Sequence, residues 1–339
     1  MNFLIKYITA FILFISNISL LYASEINIYS HRQPFLINPF LEEFTKKTGI
    51  KTNVVYATKG LAQRLRAEGK NSPADVILTV DIGRLYIYED MDLLAKITSQ
   101  ILDQNIPAHL KSDRNTWFGL SKRSRIIATS KERIKENEIL RIEDLADPKW
   151  KGKICSRPGS HVYNRALMAS IIAEYGLEKA EKWALGLVSN LARRPQGNDR
   201  AQVKGIYEGL CDIAIINNYY FGKLKYSEDP IQREWAKSMR LTFPNQGEGD
   251  RGAHINISGG GVAKYSKNKE AAIKLLEFLS SMDAQKMYSE INFEYPVNSK
   301  IKPSDELMSW GDFREDKISI EKIALLSMDA QKIIDRVGW

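Results

Sequence analysis

Short apolar runs alternate with amphipathic segments along most of this chain, beginning near residue 25. Residues 25–30, 50–56 and 74–80 are predicted as strands, and residues 39–47 and 61–68 carry apolar side chains at helical spacing. The third run is almost continuously apolar, which is typical of a strand buried on both faces of a parallel sheet. The order of these segments predicts a βαβαβ unit and therefore a doubly wound α/β domain.

The same alternation continues through the rest of the chain. Residues 118–130 and 212–216 are predicted as strands, and the tail after Pro303 is predicted as helical. The chain has 339 residues, of which 44% are hydrophobic, so it is long enough for two domains with sizeable cores. Because no low-complexity linker separates two parts, we expect lobes joined by strands that cross near Phe118 and Phe243. A ligand cleft would then lie between the lobes, at the carboxyl ends of strands.

The first 24 residues differ from the rest of the chain. Lys6 is their only charged residue, residues 11–15 are apolar, and Ala23 is a small residue suited to cleavage. This order predicts a secretory signal peptide at residues 1–23 and a soluble, exported mature protein. A membrane anchor is the alternative, although polar residues interrupt the apolar run before it reaches a bilayer-spanning length. Without Lys6 the formal net charge falls from +8 to +7.

Export affects the interpretation of the two cysteines, Cys155 and Cys211. In an oxidising compartment such a pair can form a disulfide, and closing the loop between them would stabilise the fold by about 4 kcal/mol in the chain-entropy model. Two buried thiols are the alternative. Two cysteines cannot complete a zinc site alone, and His161, the nearest histidine, adds no recognisable zinc motif.

Three tyrosines follow predicted strands. Tyr219 and Tyr220 come just after the strand at residues 212–216, and Tyr163 follows a short strand and enters a helix. In an open α/β sheet, residues just past the carboxyl end of a strand face the ligand crevice. The alternative is that these rings pack over the sheet while their hydroxyl groups meet water. A disulfide between the two cysteines would tie the tyrosine-bearing loops into one rigid site.

Phenolate oxygens are hard ligands, which favour hard, highly charged cations. The ordinary pKa of tyrosine is about 10, so near neutral pH only a strongly polarising metal displaces the phenol protons. The three tyrosines therefore predict ferric iron rather than zinc or copper(I), which prefer thiolate and imidazole ligands. Three phenolates would balance the charge of Fe(III) and leave coordination positions open for water or a small anion.

Basic residues near the predicted cleft are suited to hold that anion. Arg32 lies just past the first strand, and Arg123 and Arg125 share a face of the predicted crossing strand. Guanidinium groups bind carbonate-like and carboxylate anions through paired hydrogen bonds. Lys59 and Gly60 open the helix after the second strand, where free backbone amides can also hold an anion. The alternative for each arginine is a charge on the solvated surface.

Three further features have other interpretations. His31 is either a fourth metal ligand or a hydrogen-bonded bystander, and His254, in a predicted strand, is interpreted as structural. Residues 258–261, Ser-Gly-Gly-Gly, lack the Lys-Ser/Thr ending of a phosphate-binding loop, so they are interpreted as a tight turn. No Ser-His-Asp, Cys-His or paired-carboxylate motif indicates an exported hydrolase.

Several short segments, spread over nearly the whole chain after residue 24, together carry a resemblance to a known family. They are residues 29–34, 72–76, 117–120, 144–152, 197–202, 211–214 with the following Tyr219 and Tyr220, 243–246 and 294–297. The combination resembles the periplasmic ferric-iron-binding proteins, which are the substrate-binding subunits of iron ABC importers.

The resemblance implies a type II periplasmic-binding-protein fold, an α/β architecture in which two doubly wound lobes flank a central cleft and hinge strands cross between them. We assign residues 24–117 and 245–302 to the first lobe. The second lobe takes residues 118–244 and 303–339, with C-terminal helices that brace it.

The resemblance also implies roles for individual residues. Tyr163, Tyr219 and Tyr220 would be the iron ligands, while Arg32 and Arg123 would hold a synergistic anion, carbonate or a similar one. Some family members add a histidine or tyrosine ligand from the loop after the first strand. Here residues 32–34 read Arg-Gln-Pro, which favours the three-tyrosine group. The resemblance does not define the surroundings of the site, where Arg125, Lys223 and His31 are candidates.

The expected function is capture of Fe(III) in the periplasm and delivery to an inner-membrane ABC permease, by a monomer and without catalysis. The alternative on the same fold is a binder of a small organic solute such as a polyamine, thiamine or a sugar. A cationic solute would need acidic and aromatic residues rather than an arginine-lined cleft. Nucleic-acid binding is suggested only by the net charge, and both export and the low density of that charge argue against it.

Overall fold

The computed structural model describes residues 25–339, which form a continuous eight-stranded sheet with helices on both faces. The signal peptide expected at residues 1–23 lies outside the described residues. The strands are β1 Glu25–Ser30, β2 Lys51–Tyr56, β3 Val76–Thr79, β4 Phe118–Ser130, β5 Ile154–Cys155, β6 Ile213–Asn217, β7 Met239–Thr242 and β8 Ile255–Val262. Their order in the sheet is β2-β1-β3-β8-β4-β6-β5, and β7 pairs with β4 outside this order.

The helices connect these strands and cover both faces of the sheet. In the described part of the chain they are α1 Pro34–Thr48, α2 Leu61–Glu68, α3 Ile82–Asp90, α4 Gln100–Asn105, α5 Val162–Tyr175, α6 Leu177–Ser189, α7 Asp199–Tyr207, α8 Tyr219–Lys225, α9 Pro230–Ser238, α10 Lys269–Ser280, α11 Met282–Ile291, α12 Asp305–Met308, α13 Ile320–Leu325 and α14 Ser327–Val337. Short 3₁₀ helices occupy Gly69–Asn71, Ala108–Leu110, Ile142–Ala146 and Pro148–Trp150.

The opening βαβαβ unit is confirmed, because β1 pairs in parallel with both β2 and β3. All four residues of β3 are buried, as its continuous apolar sequence predicts. The first helix, however, starts five residues earlier than the predicted residue 39. Pro34 occupies its first turn, where the missing amide proton of proline costs no hydrogen bond. Pro39 is therefore inside α1, which is held in place by the buried side chains of Phe40 and Phe44.

The strand β4 belongs to both halves of the sheet. Its first part, up to Ser124, pairs antiparallel with β8, and its second part, from Arg125, pairs antiparallel with β6 and β7. The chain returns to the first half of the sheet between β7, which ends at Thr242, and β8, which begins at Ile255. This connectivity is compatible with the lobe boundaries given above, and the boundaries themselves stay a proposal.

The tight turn predicted at residues 258–261 is wrong, because these residues lie inside β8. That strand is hydrogen-bonded to β3 on one side and to β4 on the other. A Cβ atom added at Gly260 would lie 2.7 Å from the carbonyl oxygen of Ile77, and one at Gly261 would lie 2.5 Å from that of Thr116. The glycines therefore permit close approach of neighbouring backbone in a central strand rather than a change of chain direction.

Two hydrophobic cores form on the opposite faces of β6, because successive side chains of a strand point to opposite sides. Ile213 and Ile215 join the core shared with α5, α6 and α14. Ala214 and Ile216 join a second core with residues of α7, α8 and α9. Burial on both faces holds the carboxyl end of β6 in a defined position, and α8 begins two residues beyond that end.

The disulfide between Cys155 and Cys211 is present, with their Cα atoms 5.8 Å apart. Cys155 ends β5 and Cys211 lies just before β6, and both side chains are buried. The bond links two neighbouring parallel strands near the segments that lead to the tyrosines. The alternative of two free thiols does not apply in this structure.

Candidate functional site

The structure brings the three predicted tyrosines together. Tyr163 lies in the first turn of α5, and Tyr219 and Tyr220 begin α8. The hydroxyl of Tyr219 donates a hydrogen bond to the hydroxyl of Tyr163 at 3.1 Å, and the ring centroids of Tyr219 and Tyr220 are 4.5 Å apart. Tyr219 is 7% exposed, while Tyr163 and Tyr220 are half-buried. Phenol oxygens from two helices thus converge at one place.

Burial raises the pKa of Tyr219 well above its ordinary value of about 10, and the neighbouring phenols Tyr163 and Tyr220 raise it further. The pKa of Tyr220 is raised for the same main reason, followed by the effect of Tyr163. In the absence of a metal these two phenols are therefore protonated near neutral pH. A cation that binds them as phenolates must be strong enough to displace the protons.

Several guanidinium groups lie close to the rings of Tyr163 and Tyr220. The guanidinium carbons of Arg157, Arg123 and Arg125 lie 5.1, 5.4 and 6.0 Å from the centre of the Tyr163 ring. The guanidinium of Arg200 lies 5.9 Å from the centre of the Tyr220 ring. All four distances are within the range of cation–π contacts. This concentration of positive charge favours negatively charged ligands and phenolates over neutral ones.

Asp199 anchors two of these arginines. Its Oδ1 accepts a hydrogen bond from Arg157 at 2.9 Å, and its Oδ2 accepts from Arg125 at 2.7 Å and from the backbone amide of Asn217 at 2.8 Å. Burial opposes ionisation of Asp199, but Arg125 and Arg157 hold its pKa below the usual value. One carboxylate shared by two guanidinium groups leaves a net positive charge beneath Tyr163.

The predicted anion-binding residues Arg32 and Arg123 meet at Ser258. Arg32 Nη1 donates to Ser258 Oγ at 2.6 Å, and Arg123 Nη1 donates to the same oxygen at 3.4 Å. Both arginines are 2% exposed. Arg32 also forms a buried salt bridge with Glu294 at 2.6 Å, and Arg123 donates to the carbonyl of Val80. The charge of Arg32 is therefore already balanced by a carboxylate in this structure.

The other two predicted anion-binding residues, Lys59 and Gly60, lie in a neighbouring cavity. This cavity has a volume of about 590 Å³, and its lining includes His31, Arg157 and His161. Gly60 caps the N-terminus of α2 with φ of 86°, a left-handed conformation that glycine adopts readily. The structure thus separates the four predicted anion-binding residues into two pairs. Arg32 and Arg123 are buried beside the tyrosines, whereas Lys59 and Gly60 line the cavity.

His31 has no free ring nitrogen for a metal. Its Nδ1 lies 2.7 Å from the carbonyl oxygen of Ala57, and its Nε2 lies 2.9 Å from the hydroxyl of Tyr88. Burial lowers the pKa of His31, which favours the neutral form of its ring. This geometry favours the bystander interpretation over a fourth ligand.

Lys223 and His254 also lie near the site, and neither ring nitrogen of His254 has a hydrogen-bond partner among the described residues. Lys223 Nζ donates to the carbonyl of Ile291 at 2.8 Å, and burial lowers its pKa. His254 lies just before β8 rather than in a strand, and it is buried. Among residues 25–339 no three His, Cys, Asp or Glu side chains are grouped as a metal site would require. The clustered phenols of Tyr163, Tyr219 and Tyr220 stay the candidate metal ligands.

The sequence pattern did not identify Arg157, Asp199, Arg200 and Glu294 as site residues. Asp199 follows Asn198, which caps α7, and nothing in this local pattern indicates a buried carboxylate. In the structure Asp199 is fully buried. Asp199, Arg200 and Glu294 lie in segments that contribute to the family resemblance, residues 197–202 and 294–297, whereas Arg157 lies outside all of those segments.

An α/β sheet whose two halves share one long strand, with a ligand site and a cavity where they meet, defines a class of solute-binding proteins. Among residues 25–339 no helix is both long enough and apolar enough to cross a membrane. The chemistry of the site, with clustered phenols and guanidinium groups, indicates a hard cation accompanied by anions.

Comparisons with known proteins agree with this class. Residues 71–315 match the model of the bacterial extracellular solute-binding protein family. The chain is 43% identical over 316 residues to iron uptake protein A1 of Synechocystis, covering 93% of this chain and 87% of that protein. It is 30% identical to the major ferric iron-binding protein of Neisseria meningitidis, covering 82% of each. The chain therefore belongs to the family of bacterial extracellular solute-binding proteins, within the group of the ferric iron-binding proteins.

Solved structures confirm the predicted fold class, a type II periplasmic-binding-protein fold. Ferric iron-binding protein A of Mannheimia haemolytica in an open conformation is 48% identical, with a TM-score of 0.86, covering 93% of this chain and 98% of that one. A Trichodesmium protein in complex with iron and citrate ligands is 45% identical, with a TM-score of 0.87, covering 93% of this chain and 100% of that one.

Proposed function

We propose that this protein captures Fe(III) through the phenolate oxygens of Tyr163, Tyr219 and Tyr220 and holds it with an anion in the periplasm. The observation that carries the proposal is the convergence of these three phenols, with a hydroxyl–hydroxyl distance of 3.1 Å between Tyr163 and Tyr219. Phenolates are hard donors that match ferric iron, and the surrounding guanidinium groups favour their anionic form. Relatives named for iron uptake and ferric iron binding support the same cargo.

The anion would complete the coordination of iron that three phenolates leave open. Arg123 and Arg32 are the proposed anion-binding residues beside the tyrosines, with carbonate or a similar anion as their ligand. Because Glu294 balances the charge of Arg32 in this structure, an anion at this place competes with Glu294 or is held mainly by Arg123. The citrate bound with iron by the Trichodesmium relative supports an anion as part of the cargo.

Membership of a solute-binding family supports delivery of the iron to an inner-membrane ABC permease. We propose that the protein acts as a monomer, that closure of its two lobes buries the iron, and that it performs no reaction on its ligand. Residues 1–23 would act as the export signal that places it in the periplasm.

A metal analysis combined with an absorbance spectrum tests the proposal. Purified protein stripped of metal and then given Fe(III) should bind one iron per chain and show a visible phenolate-to-iron charge-transfer band. Zn²⁺ in place of iron should give no such band. Iron bound without a visible band would contradict phenolate ligation, and the absence of iron binding would contradict the function.

Iron binding is expected to weaken steeply as pH falls. Burial raises the pKa of Tyr219 and Tyr220, so the metal-free site carries phenol protons that iron must displace. Each displaced proton makes affinity fall by up to about tenfold per pH unit, so three phenols give up to about a thousandfold. His161 does not contribute above pH 5, because burial and then Arg157 lower its pKa to about 3.

The measurement is a titration between pH 8 and pH 5, following the charge-transfer band against a competing chelator of known protonation constants. The slope of log affinity against pH gives the number of protons released. A slope near zero would show that iron does not displace phenol protons.

A further inference from the structure

Trp339, which follows α14, lies against the segment that leads into α5, and its side chain is 5% exposed. Its indole Nε1 donates a hydrogen bond to Ser156 Oγ at 2.9 Å, and its carbonyl oxygen accepts one from the backbone amide of Gly159 at 3.0 Å. One residue therefore holds residues 156–159 at two points, just before the helix that carries Tyr163. The proposed ligand set alone does not account for this contact.

Gly159 allows the indole to lie directly on the backbone of this segment. A Cβ atom added at Gly159 would lie 2.7 Å from Cγ of Trp339, which is closer than such atoms come in proteins. The indole also packs edge-to-face against Trp183 of α6, with ring centroids 5.8 Å apart. Contact with a backbone and with a second indole fixes the orientation of the Trp339 ring, and hence the direction of its N–H group.

The hydroxyl of Ser156 connects Trp339 to α5. It accepts hydrogen bonds from Trp339 and from Asn164 Nδ2, the latter at 3.2 Å, and it donates to the carbonyl of Arg157 at 2.8 Å. A serine hydroxyl offers one donor and two acceptor sites, so all three are used. Ser156 is 1% exposed and Asn164 is fully buried. Because water does not reach this network, a lost partner leaves a buried polar group unpaired.

Asn164 carries this restraint to the metal site, because it is the neighbour of Tyr163 in the first turn of α5. Its Nδ2 also donates to the carbonyl of Arg157 at 3.0 Å, and its Oδ1 accepts from Arg125. Its side chain is therefore held at both ends. Since the two residues share one helical turn, a shift of Asn164 also moves the phenol of Tyr163 relative to Tyr219.

We propose that Trp339 is a positioning residue for the iron site, which acts through Ser156 and Asn164 to hold the phenol of Tyr163 where it meets Tyr219. The inference rests on the proposed function, in which Tyr163 is an iron ligand. A metal site needs its ligands held close to their final geometry, and loss of groups that only orient a ligand lowers metal affinity by about 10–100-fold. Without this contact Tyr163 would occupy positions from which its oxygen does not reach the metal.

The first test removes the hydrogen bond from either side. Trp339→Phe deletes the indole N–H and keeps an aromatic ring, and it should lower the affinity for Fe(III) by about tenfold and shift the charge-transfer band. Ser156→Ala should cost at least as much, because the hydroxyl also serves Asn164. Adding Trp339→Phe to Ser156→Ala should then cost less than about twofold, since the shared bond is already lost. Chelator competition measures each affinity.

A comparison between tyrosine backgrounds separates positioning from general destabilisation. Trp339→Phe should change affinity by less than about twofold in Tyr163→Phe, but should still cost about tenfold in Tyr220→Phe. The matched control is Trp117→Phe, which removes a buried indole N–H that donates to Glu89 at 3.1 Å. It should lower the urea midpoint while retaining the wild-type band and iron affinity.

Wild-type affinity and band in Trp339→Phe would overturn the proposal. So would an equal cost of this substitution in the Tyr163→Phe and Tyr220→Phe backgrounds, because that would indicate a purely structural role. If Trp339→Phe does not fold, Ser156→Ala is taken through the same two backgrounds and is subject to the same outcomes. Wild-type affinity and band in Tyr163→Phe alone would instead contradict the proposed function.

Discussion

Replacing Tyr219 with phenylalanine should lower the affinity for Fe(III) by more than about a hundredfold, since loss of groups that only support a metal ligand already costs 10–100-fold. The substitution removes one oxygen and keeps the ring that packs on Tyr220. The substitution also removes the hydrogen bond that the hydroxyl of Tyr219 donates to the hydroxyl of Tyr163. The charge-transfer band should weaken and shift, because one of three phenolates is lost.

The matched control is Tyr207→Phe, which removes a hydroxyl from a tyrosine that is 42% exposed at the end of α7. Its spectrum and affinity should equal those of the wild type. Chelator competition measures affinity, and absorbance measures the band. Wild-type affinity and spectrum in Tyr219→Phe would exclude Tyr219 as a ligand.

Replacing Asp199 with asparagine should destabilise the metal-free protein by about 3–5 kcal/mol, the usual cost of removing one partner from a buried ion pair. Asp199 is fully buried and accepts from Arg125, Arg157 and the amide of Asn217. The variant leaves two buried guanidinium groups without a carboxylate. It should also weaken iron binding, because Arg157 and Arg125 lose the anchor that holds them against Tyr163.

Urea denaturation of the metal-free protein measures this change, with Glu208→Gln as the control. Glu208 is an exposed carboxylate that pairs with Lys204 on the surface, so its loss should change stability little. An unfolding midpoint for Asp199→Asn equal to that of the control would show that the buried network contributes little to the fold.

The secondary structure around the tyrosines could be predicted because local pattern determines it. The predicted strand at residues 118–130 matches β4, and the predicted helix at residues 61–68 matches α2. Apolar residues at period two or 3.6 are buried on one face, so their spacing alone indicates the element. The position of Tyr219 and Tyr220 just after a buried strand was predicted in the same way, because the apolar run at residues 212–216 indicates that strand.

The Ser-Gly-Gly-Gly segment shows where local pattern is insufficient. Glycine is typical of turns, but it is also the residue that allows backbones to approach closely. Which of these applies at Gly260 and Gly261 depends on the carbonyls of Ile77 and Thr116, which are distant in the sequence. The sequence around the glycines contains no information on which distant carbonyl groups will approach them in the folded protein.

Sequence alone established the α/β class of this protein, its family resemblance and the three tyrosines as candidate iron ligands, because these follow from spacing and from residue chemistry along the chain. Only the tertiary structure showed that Asp199 is buried between two arginines, and that Glu294 balances Arg32 from 262 positions away. It also placed Lys59 and Arg165 in one cavity. The energy of a charge depends on which distant groups exclude water from it and which oppose its sign, and folding decides both.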